Sequence, residues 1–222
     1  MASCLRERAI RYKGGKIDIY FFAGRCTHVA ECLRGAPAVF DSMRRPWIVP
    51  DAEEPDSVAQ VIERCPTGAL HYKLKDGGQE EIPPPLNSLS VQADGPIYFY
   101  GQLKLQDAQG GLLLEETRLA LCRCGLSGRK PLCDDSHEYE FTDDGDLPEH
   151  KSLEAFPVPE AGAVNVIIKP AGPLVVEGPF LLWDSGRKKA LRLMHAVLCR
   201  CGASRNKPFC DGSHSHAGFT GD

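Results

Sequence analysis

Cys122, Cys124, Cys133 and His137 form one set of thiol and imidazole side chains, and Cys199, Cys201, Cys210 and His214 form a second. In both, the order is Cys-x-Cys, eight residues, Cys, three residues, His, and the two sets lie 77 residues apart. Three thiolates and one imidazole at such short separations are a metal-ligand pattern. In an extended segment residues i and i+2 point to the same side, so Cys122 and Cys124 can grip one metal together. In a helical turn i and i+4 share a face, so Cys133 and His137 can grip a second. The eight-residue loop, stiffened by Pro131, brings the pairs together. That arrangement fits two irons bridged by sulfides, Cys/Cys on one and Cys/His on the other. Asp134 and Ser136, or Asp211 and Ser213, stand where they would cap a helix start and turn backbone N–H groups toward sulfur.

The bland alternative is structural zinc, which also takes three cysteines and a histidine in closed tetrahedral sites. Ligand types alone leave it open. Zinc sites more usually space their pairs by two to four residues, and Cys-x-Cys is less usual there.

The elements that must hold these ligands repeat as well. A shift of 77 aligns Gly95-Pro96 with Gly172-Pro173, Gly101 with Gly178, Asp107 with Asp184, and Leu121–Gly125 with Leu198–Gly202. No gap is needed from about Asn87 to His137, so residues 87–142 and 164–222 are two copies of one unit. A pair points to pseudo-twofold symmetry rather than a solenoid, which needs three or more repeats. Each copy opens with β-like segments, Leu89–Val91 and Val164–Ile168, then Ile97–Leu105 and Leu174–Trp183 after a Gly-Pro turn. The Pro-Leu-Cys-Asp-Asp-Ser-His and Pro-Phe-Cys-Asp-Gly-Ser-His ends read as a loop turning into a short helix.

Cys-x-Cys-x2-Ser-x3-Pro-x-Cys-Asp-x-Ser-His resembles the CDGSH iron–sulfur family, the mitoNEET-like proteins. Cys122 through His137 and Cys199 through His214 match it residue by residue, including Ser127, Pro131, Ser204 and Pro208. Asp135 departs from it where the second copy keeps Gly212, which alters either the loop's backbone conformation or its local charge. The resemblance implies one redox-active, acid-labile [2Fe–2S] cluster per motif. It also implies a strand-swapped homodimer, both halves of which this chain would contain covalently.

The first 76 residues have a different texture. Lys16–Phe22 alternates like a strand with Ile17, Ile19 and Phe21 on one face. Ser57–Cys65 places Val58, Val61 and Ile62 at helical spacing, with Pro55 and Asp56 as start signals. Ala69–Leu74 reads as a returning strand. Residues 77–86, with Gly77-Gly78 and three consecutive prolines, read as a linker. Cys26, Cys32 and the Cys65-Pro66 pair resemble monocluster ferredoxins, especially a divergent single-cluster family. A [4Fe–4S] cluster needs four ligands, and Val29 stands where the missing cysteine would be. Three thiolates suit [3Fe–4S], with [4Fe–4S] as the alternative if His28 or Cys4 is the fourth ligand. Unrelated buried thiols are the competing reading.

The remaining residues carry less. His71 reads as structural, His150 and His195 as surface, and His216 as solvent-exposed near the second motif. Arg187-Lys188-Lys189 reads as a solvated turn, and Trp47 and Trp183 as packing. No nucleophile–base pair, phosphate-binding loop or paired acids point to catalysis, so the expectation is a protein that is not an enzyme. Residues 1–75 carry 12 Lys/Arg against 9 Asp/Glu and the remainder 14 against 21, and the net charge of −4 gives no nucleic-acid signature. Nine of the ten cysteines fall into metal-ligand groups, and Met-Ala-Ser-Cys-Leu-Arg-Glu-Arg has no apolar signal core. This favours a reducing compartment, the cytoplasm or an organelle matrix. No apolar run approaches the ~18 residues of a membrane span.

The sequence therefore predicts an α+β chain: a small ferredoxin-like domain (1–76), a linker (77–86) and a β-rich tandem unit with pseudo-twofold symmetry. Its cofactors would be two [2Fe–2S] clusters and one [3Fe–4S] cluster, its partners redox or cluster-accepting proteins, and its state a monomer. One-electron transfer is the leading function, cluster delivery or redox and pH sensing the alternative, and structural zinc binding a third.

Overall fold

The computed structural model describes residues 5, 7–75, 77, 81–148 and 162–221. It is mostly β with few helices, and the chain divides into two compact units, Arg6–Ile82 and one built on Pro83–Asp222. Cys4, His150 and part of the expected linker lie outside the described residues.

In the first unit, β1 (Ile10–Tyr12), β2 (Ile17–Phe21) and β3 (Leu70–Leu74) form an antiparallel sheet in that order. Two helices, α1 (Glu31–Gly35) and α2 (Pro55–Glu63), accompany it. Helix α2 starts two residues earlier than its apolar spacing implied. Pro55 takes the first helical position, where its missing N–H costs nothing. It ends before Cys65 because Pro66 disfavours a helical residue ahead of it. Val58, Val61 and Ile62 pack with Ile17, Ile19, Phe40, Ile48 and Leu70 into one core. The alternation of β2 left Asp18 on the polar face, yet it is buried. It accepts from Arg11 Nη2 at 2.5 Å and from the Gly14 N–H at 3.2 Å, with Lys75 Nζ at 3.3 Å.

The second unit is one six-stranded sheet: β4 (Ser88–Val91), β5 (Ile97–Gln106), β6 (Leu112–Leu121), β7 (Val164–Ile168), β8 (Leu174–Trp183) and β9 (Ala190–Leu198). Each repeat makes an antiparallel hairpin, β5 with β6 and β8 with β9. The short first strand of each repeat pairs antiparallel with the next strand of its own repeat and parallel with the long strand of the other. Thus β4 lies beside β8, with Leu89 opposite Leu182, and β7 lies beside β5, with Leu105 opposite Val166. The long strands change partner half-way. Strand β5 pairs with β4 up to Tyr100 and with β7 from Leu103, and β8 changes from β7 to β4 between Glu177 and Leu181.

Gly101 (φ 145°) and Gly178 (φ 116°) occupy these changeovers. A Cβ at Gly178 would meet the Ala163 carbonyl at 2.5 Å, and one at Gly101 would collide with the Asn87 side chain. Asn87 stitches both changeovers: its Oδ1 accepts from the Gln102 N–H, its Nδ2 donates to the Gly162 and Pro179 carbonyls, and its own carbonyl accepts from the Leu181 N–H. The two repeats thereby share one core, with Leu89, Phe99, Leu105, Val166, Val176, Phe180 and Leu182 buried in it.

A short helix, α3 (His137–Glu140), follows the first ligand set, while the second set ends in a single 3-10 turn, Ser213–Ser215. The helix begins at the histidine and does not contain Cys133, so the i, i+4 pair spans the loop and the helix start. No helix among the described residues is long and apolar enough to cross a membrane.

Candidate metal centres

Strand β6 delivers Cys122 at its end, and β9 delivers Cys199. The approach to the third cysteine lies alongside as a short bridge, Leu121 to Leu132 and Leu198 to Phe209. In the first copy the Cys122 N–H donates to Pro131 O at 2.9 Å and the Cys133 N–H to Ala120 O at 2.9 Å. In the second, the Cys199 N–H donates to Pro208 O and the Cys210 N–H to Val197 O, both at 2.8 Å. The bridging loop is held by its serine. Ser127 Oγ donates to Leu132 O at 2.7 Å and accepts from the Arg129 N–H at 3.0 Å; Ser204 repeats both bonds with Phe209 O and Asn206 N.

The donors come out in pairs. Cys122 and Cys124 Sγ are 3.5 Å apart, and Cys133 Sγ and His137 Nδ1 are 3.4 Å apart. In the second copy the same separations are 3.8 and 3.4 Å. With bonds of ~2.3 Å to sulfur and ~2.1 Å to nitrogen at tetrahedral angles, two thiolates on one metal sit ~3.8 Å apart and a thiolate and imidazole ~3.6 Å. Each pair thus already fits one metal. The four donors do not close on a single ion. Among the described residues, Cys133, Asp135 and His137 are the one set of three or more such donors lying within 4.8 Å of one another, and Cys122 and Cys124 stand outside it. One tetrahedral zinc would need all four within that range, whereas a two-metal cluster needs two separated pairs.

Two backbone N–H groups are aimed at sulfur. The Leu126 N–H points to Cys124 Sγ at 3.4 Å and the Gly212 N–H to Cys210 Sγ at 3.4 Å. Asp134 and Asp211 do not cap a helix as expected from sequence. Each ties the serine loop to the histidine turn, accepting from the Gly128 or Arg205 N–H and from the Ser136 or Ser213 N–H. Burial opposes ionisation of Asp134, but the bonds from Ser136 and Gly128 outweigh it and hold the carboxyl below its usual range. Burial pushes the Cys133 thiol up to about 12 and raises Cys199 as well. The hydrogen bond within the Cys122–Cys124 pair lowers the first thiol and raises the second. Metal loading must therefore displace protons.

Asp135 keeps the backbone conformation of its counterpart: φ is 69° at Asp135 and 88° at Gly212. At this residue itself, therefore, the difference between the copies is one of charge and not of left-handed backbone.

The residue between the first two cysteines escaped sequence reasoning. Arg123 and Arg200 are each 1% exposed. Arg123 Nε donates to Gly95 O at 2.7 Å and Nη2 to Gln92 O at 2.5 Å; Nη1 pairs with Asp143. Arg200 repeats this on Gly172 O at 2.9 Å and Lys169 O at 2.8 Å. Both clamp the Gly-Pro turn of their own repeat to the ligand segment. The repetition of Cys-Arg-Cys in both copies marks the position but not its burial. Cys124 and Cys201 face each other as a backbone bridge, so close that a Cβ at Gly125 would meet Cys201 O at 2.6 Å.

In the other unit, Cys26, Cys32 and Cys65 line one open pocket together with Thr27, His28, Val29 and Trp47. The loop into α1 takes left-handed backbone at His28 (φ 47°) and Ala30 (φ 65°). Burial, then the charge of Cys65, pushes the Cys32 thiol up to about 11. The buried Thr27 hydroxyl has no hydrogen-bond partner, the condition of a donor awaiting an acceptor that the pocket would hold. The three sulfurs do not lie within 4.8 Å of one another, which fits a multi-iron cluster and not one ion. None of the nine described cysteines is in a disulfide.

His71 makes structural contacts, with Nδ1 2.9 Å from Glu81 and Nε2 3.0 Å from Gly68 O, and His195 and His216 are exposed. Trp47 packs edge-on against Phe21, with ring centroids 4.8 Å apart.

Residues 12–75 match the family described as divergent 4Fe-4S mono-cluster, and residues 94–138 and 171–215 each match the iron-binding zinc finger of CDGSH type. The protein called Uncharacterized protein YjdI of Escherichia coli K12 is 45% identical over 64 residues, which is 29% of this chain and 84% of that protein; the form in Escherichia coli O157:H7 matches equally. No solved structure matches the chain.

Proposed function

We propose that this chain, which belongs to the divergent 4Fe-4S mono-cluster and CDGSH iron-binding families, carries single electrons between protein partners and is not an enzyme. The observation that supports this most is the splitting of each Cys3His set into a Cys/Cys pair and a Cys/His pair, as two bridged irons require. Each repeat then holds one [2Fe–2S] cluster, on Cys122, Cys124, Cys133 and His137 or on Cys199, Cys201, Cys210 and His214. Cys26, Cys32 and Cys65 hold a third, [3Fe–4S] with three thiolates or [4Fe–4S] if a fourth ligand joins. Such clusters accept and release one electron without a bond to substrate.

The protein's part is to bind and insulate. The serine loops fix the ligand pairs, the backbone N–H groups at Leu126 and Gly212 offset thiolate charge, and Arg123 and Arg200 lock the ligand segments to the sheet. The head takes a ferredoxin-like fold, and the repeats are related by a pseudo-twofold axis within one cytoplasmic monomer. Cluster delivery is the second reading, favoured by the half-buried histidines, each a ligand that protonation can remove.

One comparison separates the readings. Reduced protein is mixed with oxidised cytochrome c, and oxidised protein is mixed with an apo-ferredoxin. Rapid reoxidation with cluster absorbance retained supports electron transfer. Loss of absorbance matched by cluster gain in the acceptor, without reoxidation in the first arm, overturns it in favour of delivery.

A further inference from the structure

The two repeats share a backbone but not a charge. Residues 122–144 carry three basic and six acidic side chains, whereas the equivalent residues 199–221 carry three basic and one acidic. The basic residues cancel between copies: one arginine in each Cys-Arg-Cys, and one arginine and one lysine in each serine loop. Asp134 and Asp211 cancel likewise. Asp143 and Asp144 stand further along the chain, Asp143 held against Arg123 with Lys207 Nζ at 3.9 Å and Asp144 exposed to solvent. The unmatched acids on the histidine turn are Asp135, Glu138 and Glu140, opposite Gly212, Ser215 and Ala217. Glu138 and Glu140 are exposed and screened by solvent. Asp135 is half-buried, and its carboxylate lies within 4.8 Å of both Cys133 Sγ and the His137 ring nitrogen.

We infer that Asp135 makes the two CDGSH sites unequal, so that a single reducing equivalent shared between them resides on the second repeat. The inference rests on the proposal that each repeat holds a [2Fe–2S] cluster. Reduction adds one negative charge to a site, and a fixed carboxylate beside that site opposes it. Gly212 places no such charge beside Cys210 and His214. One electron leaves the first site and enters the second, and no proton, ligand or bond changes hands. The Cys124–Cys201 bridge sets the inner ligands of the two sites ~5 Å apart between Cα atoms, so the exchange stays within this unit. The duplication would thus serve direction: the first repeat gives up its electron and the second retains it.

The test is a redox titration of the purified full-length protein, followed by electron paramagnetic resonance and visible absorption. Wild type should show two [2Fe–2S] waves, with the electron favouring the second repeat by about tenfold, which is ~59 mV for one electron. Asp135→Asn keeps the side-chain shape and removes the charge; it should raise the lower wave several-fold toward the upper one and leave the upper wave in place. Gly212→Asp is the converse. Nothing lies within 4 Å of a Cβ at Gly212, and Asp135 shows that aspartate accepts this left-handed backbone. It should lower the upper wave alone. Coincident wild-type waves, or waves that neither substitution moves, would overturn the inference while leaving the clusters in place. A protein without [2Fe–2S] signals would overturn the cluster proposal itself.

Discussion

In the proposed clusters, His137 and His214 would be the ligands by which each repeat departs from an all-thiolate set, and their chemistry sets an expectation at the scale of one residue. An imidazole free in water titrates near pH ~6.5, and protonation of the ligating nitrogen competes with the metal. Cluster absorbance should therefore decay faster as pH falls below neutrality. His137→Cys and His214→Cys replace that ligand with a thiolate; each should slow acid loss of the altered cluster and lower its reduction potential. Equal decay in wild type and both variants would remove the histidines from this role. The candidate donors, which the structure brings together in pairs, were legible in sequence because their types and intervals carry the chemistry. The separation of the donors into two pairs was anticipated from periodicity, although the helical turn credited to Cys133 begins only at His137. Arg123 and Arg200 were not legible, because an arginine between two cysteines reads as surface until its three carbonyl and carboxylate partners are placed around it. Thr27 was hidden for the same reason: its burial depends on the fold of a loop with no periodicity.

Among the elements, β2 of the head carries an instructive mismatch. Its Ile17, Ile19 and Phe21 alternation was read correctly, but Asp18 is 2% exposed between them. Strand periodicity assigns a face and cannot report that Arg11, Lys75 and the Gly14 N–H converge on the opposite one. Burial raises the Asp18 pKa, yet the bonds from Arg11, Gly14 and Lys75 outweigh it and leave the carboxyl depressed. A depressed carboxyl contributes stability that is fully present above its unfolded value of ~3.9 and is lost as pH falls through the folded one. Asp18→Asn should destabilise the head by about 1–3 kcal/mol at neutral pH, and the gap to wild type should close as the solution is acidified below pH ~4. Urea unfolding of both proteins at neutral and acid pH measures this; a gap independent of pH would contradict it. In the tandem unit, Gly178→Ala forces a Cβ to 2.5 Å from a backbone carbonyl at positive φ. It should cost about 2 kcal/mol or more by combining backbone strain with a clash that no side chain can relieve. Thermal melting checks this, and an unchanged midpoint would show that the changeover tolerates side chains.

At the scale of the whole molecule, the duplication was plain from a gapless alignment, whereas a strand exchange between the halves was expected only from the family resemblance, and its changeovers along β5 and β8 were not located. Sequence equivalence says that two segments fold alike and is silent on which copy they pair with. Here each repeat's first strand completes the other's sheet, joining the repeats through one shared core. With both exchanged edges paired internally, the expectation is a monomer. Light scattering should give about the chain mass of 24.3 kDa. A stable dimer formed through the tandem unit would contradict the internal pairing.

The central claim, that this is a three-cluster iron–sulfur protein, meets its most direct test in iron and acid-labile sulfide counted per purified chain. Two [2Fe–2S] clusters and one [3Fe–4S] or [4Fe–4S] cluster predict about seven or eight irons and about eight sulfides. One to three metal ions per chain, zinc among them and without sulfide, would contradict the account.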